Sequence, residues 1–336
     1  SQERIEVIGK TLCGYEIDPF AAWMSQVLTE LVLIEDVIRS GERLQNIVRN
    51  CDALRAQQTP QEFDLVIGNP PYGRTTLCKE DRKAYHRCLY GHANLYTLFT
   101  DLALRSAKTG GLVALVTPAS YLAGQYFKNL RKTIRTEASP RQIDFIEKRC
   151  GAFEGVLQET VLNVYIKNSK DKKNQANVLD LQPDGALTAK YTGQIYLPRQ
   201  KDGPWIIPRT ASAEKLIEQV SRSAHRLSDY GYRVKTGPLV WNRHRRQLCQ
   251  KKVEGAVPLI WAESVRSGGR FEFSYAKQNH APFFLPESGQ EWLLTRSPCV
   301  LLQRTTSKEQ NKRLNAAVLP SAFIQCNGGA AVIENH

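Results

Sequence analysis

Asn69-Pro70-Pro71-Tyr72 sets hydrogen-bond acceptors beside a flat ring. Two consecutive prolines fix φ and remove two backbone N–H groups, and a residue that precedes proline is pushed out of the helical region. The spacing therefore predicts a stiff, extended turn. It offers the Asn69 side-chain oxygen, the Pro70 carbonyl and the Tyr72 ring, which together suit a planar substrate carrying an NH2 group. Two carboxylates accompany the turn. Glu16, in Gly14-Tyr15-Glu16-Ile17-Asp18-Pro19, can accept from ribose hydroxyls; taken alone it is equally a solvated turn acid. Asp52, in Asn50-Cys51-Asp52-Ala53-Leu54, can accept from the exocyclic amine of a nucleoside or cap the turn that follows. The order and spacing of Glu16, Asp52 and Asn69 are more specific than any one of them. The eight cysteines and six histidines form no Cys-x-x-Cys pair and no His-Glu-x-x-His, so no metal site is expected, and reduced thiols in a cytoplasmic protein fit the pattern.

These residues need strand ends to hold them. A short strand is predicted over residues 11–17, a helix over 20–39, a strand over 44–52 and a buried strand over 64–68, just before the turn. A strongly apolar helix over 95–108 stops at Gly110-Gly111. A buried strand at 112–116 ends at Pro118, a basic helix covers 126–135, and two further strands cover 143–146 and 160–166. This alternation predicts an α/β fold with a doubly wound, mostly parallel sheet, in which ligands sit at the carboxyl ends of strands. Glu16, Asp52 and Asn69 all fall there. The cations of the 126–135 helix (Lys128, Arg131, Lys132, Arg135) are spaced as one basic face, read as an ordinary exposed helix. The expected domains are a catalytic domain over 1–168, a linker or crossover over 169–205, and a second domain over 206–336 built of short strands and loops, with one helix at 213–224.

The net charge is +13 over 336 residues. Residues 1–168 carry 21 Lys+Arg against 19 Asp+Glu, and residues 169–336 carry 25 against 14, so the second half has the footprint of a polyanion binder. No apolar stretch approaches the roughly 18 residues that span a bilayer, so no membrane partner is expected. Ser1-Gln2-Glu3-Arg4 is neither a signal peptide nor an initiator Met, and the chain is expected to begin inside a longer protein.

The sequence resembles the S-adenosylmethionine-dependent amino-methyltransferases, in particular N6-adenine DNA methyltransferases of the TaqI-like and Eco57I-like kind found in restriction–modification systems. The resemblance rests on the stretches quoted above, on Asp64-Leu65-Val66-Ile67-Gly68 leading into the turn, and on Gly110-Gly111-Leu112-Val113-Ala114-Leu115-Val116-Thr117-Pro118. It continues at Phe153-Glu154 and Gln158-Glu159-Thr160-Val161-Leu162 and, in the second half, at Thr236-Gly237-Pro238-Leu239-Val240-Trp241-Asn242-Arg243-His244 and around Gln303-Arg304-Thr305. It implies a class I methyltransferase (Rossmann-like) fold followed by a DNA target-recognition domain. It implies that Glu16, Ile17, Asp52, Ala53 and Asn69 hold S-adenosylmethionine, that Asn69 and Pro70 accept the hydrogens of the target amine, and that Tyr72 and Phe153 flank a flipped base. The family also places a Gly-rich loop before the Glu16 strand, and this sequence has none. Cofactor binding by this chain is therefore expected to be impaired and the recognition domain truncated.

Double-stranded DNA is the expected partner, with a restriction endonuclease as functional partner and a monomeric protein. Trp241, Arg243, Arg245, Arg246, Arg304 and Lys308 are the expected DNA contacts, with Arg266 and Arg270 behind them. Related activities share the turn: methyl transfer to cytosine N4, to guanine N2 of ribosomal RNA or to a protein glutamine. The basic second half disfavours a protein substrate. A DNA-binding module without catalysis is the reading of a different class, and the absent Gly-rich loop is its support.

Overall fold

The computed structural model describes all residues except 1, 57–61, 147–158, 170–172, 182–185, 276, 278, 305–313 and 336. The chain forms two units, Ser1–Ala224 and His225–His336.

The first unit opens with α1 (Gln2–Thr11), β1 (Gly14–Glu16), α2 (Pro19–Val32), α3 (Ile34–Ser40) and β2 (Val48–Asn50). β1 and β2 pair in parallel, from Gly14 opposite Val48 to Glu16 opposite Asn50. α2 starts where Asp18 accepts from the Ala21 N–H and Pro19 takes the first turn, a position that needs no proline N–H. The single helix expected over 20–39 is two helices. Leu33 closes α2 by returning its N–H to the Glu30 and Leu31 carbonyls, and its side chain is buried with Ile5, Leu44 and Ile47, which fixes the break.

β3 (Phe63–Gly68), β4 (Arg74–Thr75), α4 (Lys79–Ala84), β5 (Ala93–Asn94), α5 (Leu95–Ser106), β6 (Ala107–Pro118), α6 (Lys128–Glu137), β7 (Ala138–Ile146), β8 (Thr160–Lys167), β9 (Gln175–Leu181) and β10 (Leu187–Gly193) follow. The central sheet has the order β10-β9-β7-β8-β6-β3. β3, β6, β7 and β9 run one way, with β8 and β10 opposed. The expected α/β class with a mostly parallel sheet therefore holds. Leu98, Leu104, Val113, Ile134, Ile143 and Val161 form its core, each worth roughly 1.5–3 kcal/mol of burial. Gly110-Gly111 lies inside β6 rather than stopping a helix. The β3–β6 register shifts between Phe63 and Leu65, and a Cβ at Gly111 would meet the Lys108, Asp64 and Phe63 carbonyls at 3.0–3.1 Å. β3 forms the end of the sheet and pairs with β6 alone among the described residues; it is not the buried strand expected, since Leu65 and Ile67 are exposed.

Three further expectations are corrected in this unit. Residues 169–205 are not a linker: β9 and β10 extend the sheet, and Ile195, Trp205 and Ile207 join its core. The boundary expected at 205/206 lies at 224/225, so α7 (Ala211–Arg222) belongs to the first unit. The cations of α6 do not form one exposed face. Arg131 is buried, and its guanidinium donates to the carbonyls of Tyr121, Gly124, Asp202 and Gly203. Arg135 donates to the Pro198 and Gln200 carbonyls.

The second unit contains β11 (Leu248–Cys249), β12 (Val257–Ile260), β13 (Val265–Arg266), β14 (Arg270–Phe271), β15 (Phe283–Phe284), β16 (Leu294–Thr295), β17 (Cys299–Leu302), β18 (Ala316–Leu319), α8 (Ser321–Cys326) and β19 (Ala331–Ile333). Its largest sheet has the order β11-β15-β12-β19-β16 over a core of Leu239, Leu259, Trp261, Phe284, Leu293 and Val332. Gly237 packs so tightly on the chain after β19 that a Cβ there would lie 2.0 Å from the Glu334 carbonyl oxygen. Among the described residues no helix is long and apolar enough to cross a membrane.

Candidate active site

The turn Asn69–Tyr72 leaves the carboxyl end of β3, where the parallel pairing with β6 ends at Gly68 and Leu115. Pro70 is buried and Asn69 is exposed, so the ring anchors the turn and the amide faces out. The Tyr72 hydroxyl lies 3.2 Å from Asn69 Oδ1 and 3.4 Å from the Val116 carbonyl oxygen. It has one proton and donates to one acceptor at a time. Burial raises the Tyr72 phenol above its ordinary value, which keeps it a neutral donor. Tyr96 meets the Tyr72 ring edge-on, 6.4 Å between centroids at 85°. Tyr96 is itself buried, 3.3 Å from Ser120 Oγ through its hydroxyl and 5.4 Å from the Phe127 ring. Downstream, the Leu95 N–H donates to the Gly73 carbonyl at 3.0 Å, and Arg74 and Thr75 pair with Asn94 and Ala93. Both ends of the turn are thus tied to secondary structure.

Glu16 and Asp52 are brought together by the β1–β2 pairing. Glu16 Oε1 accepts from the Asp18 N–H at 2.9 Å. The Asn50 side-chain amide donates to the Glu16 and Ile17 carbonyls, each at 3.0 Å, and fixes the bend after β1. Ile17 is 68% exposed, an apolar side chain left in reach of a flat ring. Asp52 Oδ1 accepts from the Leu54 N–H at 3.0 Å. Arg55 lies 3.7 Å from Asp52 and 2.8 Å from Asp81, coupling the Asp52 loop to the first turn of α4. Ala53 follows Asp52 in that loop. Glu16 and Asp52 share no hydrogen bond or ion pair with Asn69 or Tyr72 among the described residues.

Asn50, Arg55, Tyr96 and the Val116 carbonyl support these groups and were not singled out from sequence. Asn50 stands inside the stretch quoted for Asp52, but an amide that holds two carbonyls of another strand leaves no local pattern. Phe153 and Lys308 lie outside the described residues. In the second unit Trp241 packs edge-on against Trp261 at 6.2 Å, and the Arg245 guanidinium stands 5.4 Å over its ring. Arg243 and Arg246 are exposed beside it. Arg304 donates to the Asn335 backbone carbonyl and Oδ1. Arg266 and Arg270 both lie within ion-pair distance of Glu272. No group of three or more His, Cys, Asp or Glu that could hold a metal occurs among the described residues.

Residues 11–153 match the family model described as Eco57I restriction-modification methylase. The resemblance drawn from the motifs is borne out there. The chain is 26% identical over 265 residues to the Type II methyltransferase M.BsuBI of Bacillus subtilis, covering 77% of this chain and 52% of that protein. It is 25% identical over 280 residues to the Type II methyltransferase M.PstI of Providencia stuartii, covering 81% and 55%. The chain thus spans about half the length of these relatives. Among solved structures it is similar to a nuclease-deletion mutant of the Type ISP restriction-modification enzyme LlaGI in complex with a DNA substrate mimic, at 14% identity and TM-score 0.44, covering 61% of this chain and 25% of that one.

Proposed function

We propose that this protein is a site-specific DNA methyltransferase that acts on N6 of an adenine turned out of the duplex, with S-adenosylmethionine as methyl donor. One observation carries the reading: Asn69 Oδ1, at the exposed end of a proline-stiffened turn, has a hydrogen-bond donor, the Tyr72 hydroxyl, beside it. An amine hydrogen of a substrate is a donor of the same kind. The donor set suits the cofactor as well. Glu16 and Asp52 are acceptors at neighbouring strand ends, and Ile17, next to Glu16, is an exposed apolar side chain. When bound, S-adenosylmethionine supplies an electrophilic methyl group.

The chemistry asked of the chain's own residues is orientation. An aromatic amine is a poor nucleophile because its lone pair is delocalised into the ring. Asn69 Oδ1 and the Pro70 carbonyl, accepting one hydrogen each, favour a more tetrahedral nitrogen and free that lone pair. The gain is positional and electrostatic, and no strong base has to act before transfer. A base within a duplex cannot reach the turn, and extruding it costs a few kcal/mol. Stacking on Tyr72, at roughly 1–3 kcal/mol per base, offsets much of that. The cations around Trp241 supply phosphate contacts.

The test is transfer of tritiated methyl from S-adenosylmethionine to genomic DNA by the full-length protein, followed by nucleoside analysis. Label in N6-methyladenine is the expected result. Label in N4-methylcytosine would move the activity to the other amine, and no label in any base would overturn the reading.

A further inference from the structure

Resting on the DNA-methyltransferase reading, we infer that an exposed face of the first unit (Arg74, Arg82, Tyr90, His92, Tyr126 and Lys128) binds the sugar–phosphate backbone of the DNA strand next to the turn. The basic second unit therefore does not hold the DNA alone.

The face adjoins the turn by covalent and packing connections. Arg74 follows Tyr72 by two residues and pairs with Asn94, and His92 precedes that ladder by one residue. Tyr126 neighbours Phe127, which packs on Tyr96, which packs on Tyr72. A Cβ at Gly91 would meet the Tyr126 ring at 3.0–3.2 Å, so the two segments are in close contact.

Its chemistry is that of a strand-tracking surface. Arg74 and Arg82 are exposed. Among the described residues neither they nor Lys128 have a carboxylate within ion-pair distance. Glu80 shares α4 with Arg82 and pairs with none of them, and Asp81 is engaged by Arg55. Arg82 gives one N–H to the Gly91 carbonyl at 3.3 Å, which steadies the guanidinium and leaves its other donors for an anion. The Lys128 ammonium stands 3.8 Å over the Tyr90 ring, a cation–π contact that positions the charge without neutralising it. The His92 and Tyr126 rings lie 6.0 Å apart, and Tyr126 is 52% exposed. Cations that track phosphates beside aromatic faces on which bases or sugars rest are the components of nucleic-acid strand grooves. The contrast within α6 is informative: Arg131 and Arg135 turn inward onto carbonyls, whereas Lys128 stays on this face.

The experiment is anisotropy titration of the 336-residue chain with a labelled duplex over a range of salt concentrations. Each phosphate contact contributes about 0.9 to the slope of log affinity against log salt, so Arg82→Gln/Lys128→Gln lowers that slope by about 1–2 and weakens binding on the order of tenfold at low salt. Tyr126→Ala weakens binding to a duplex with a mismatched base more than to a matched one. Arg39→Ala, on the exposed side of α3, leaves the slope unchanged. An Arg82→Gln/Lys128→Gln protein with the wild-type slope and affinity would overturn the inference, as would a wild-type chain that does not bind DNA or a variant impaired only toward RNA. If the variant's slope falls but the full-length wild-type protein methylates no base, the binding face stands and the methyltransferase reading fails.

Discussion

The phenol of Tyr72 has two uses in one side chain. Its ring is a stacking surface, and its hydroxyl decides which end of the Asn69 carboxamide faces it, because only the oxygen can accept. Removing the two uses separately gives different outcomes. Tyr72→Phe keeps the ring and loses the orienting donor, so methyl transfer slows by about fivefold with little change in DNA affinity, as expected for an interaction worth about 1 kcal/mol. Asn69→Ala removes an acceptor made for the transition state and lowers kcat by roughly 10²–10³; single-turnover kinetics separate both effects from binding. The burial that raises the Tyr72 phenol also sets a pH expectation. The midpoint for loss of the neutral donor form lies above the ordinary tyrosine value of about 10, so any alkaline loss of rate that comes from Tyr72, read as the ratio of the wild-type to the Tyr72→Phe rate, is centred above that value. A ratio already half lost below about pH 10 would contradict this. At this scale the chain was readable where residue type alone fixes chemistry, as in the acceptors of the turn. It was not readable where one side chain acts through another, as Tyr96 does on Tyr72 or Asn50 on the Glu16 carbonyl.

Among the elements, β3 and α5 could be read from apolar runs; burial accounts for that run in α5, whereas β3 carries it with Leu65 and Ile67 exposed. β9 and β10 could not. Their polar residues suggest a linker, yet Asn177 donates to Asp144 Oδ1 at 2.7 Å and the Thr192 hydroxyl lies within donating distance of the Ala176 and Pro208 carbonyls, one at a time, so partners elsewhere in the sequence make those polar positions compatible with a sheet. The same blindness applies to Arg131, which helical spacing assigns to a solvent face and the structure buries. Its planar fork ties the Tyr121 and Gly124 carbonyls to those of Asp202 and Gly203. Arg131→Ala would leave those carbonyls unpaired and cost about 3 kcal/mol or more. Arg131→Lys would recover little of it, because an ammonium cannot span several fixed acceptors as a fork does. Chemical denaturation of the two variants measures the difference, and equal midpoints for wild type and Arg131→Ala would refute the clamp.

For the whole molecule, charge and sheet edge matter more than any one side chain. The exposed Arg243, Arg245 and Arg246 stand in a unit whose basic excess is written plainly in the composition, and changing all three to Ala should flatten the salt dependence of DNA binding by about 2–3 in slope; an unchanged slope would remove them from the interface. β3 has a different consequence. It is an apolar strand with one side of its backbone unpaired by any described strand and with Leu65 and Ile67 facing solvent. Such an edge is a template on which a second polypeptide can add a strand. Concentrated solutions of this chain should therefore scatter light increasingly with time, and Leu65→Lys, which places a charge on that strand away from the turn, should suppress the scattering while leaving the fold intact. The strand that presents the turn to a substrate is then also what limits how concentrated the protein can be kept.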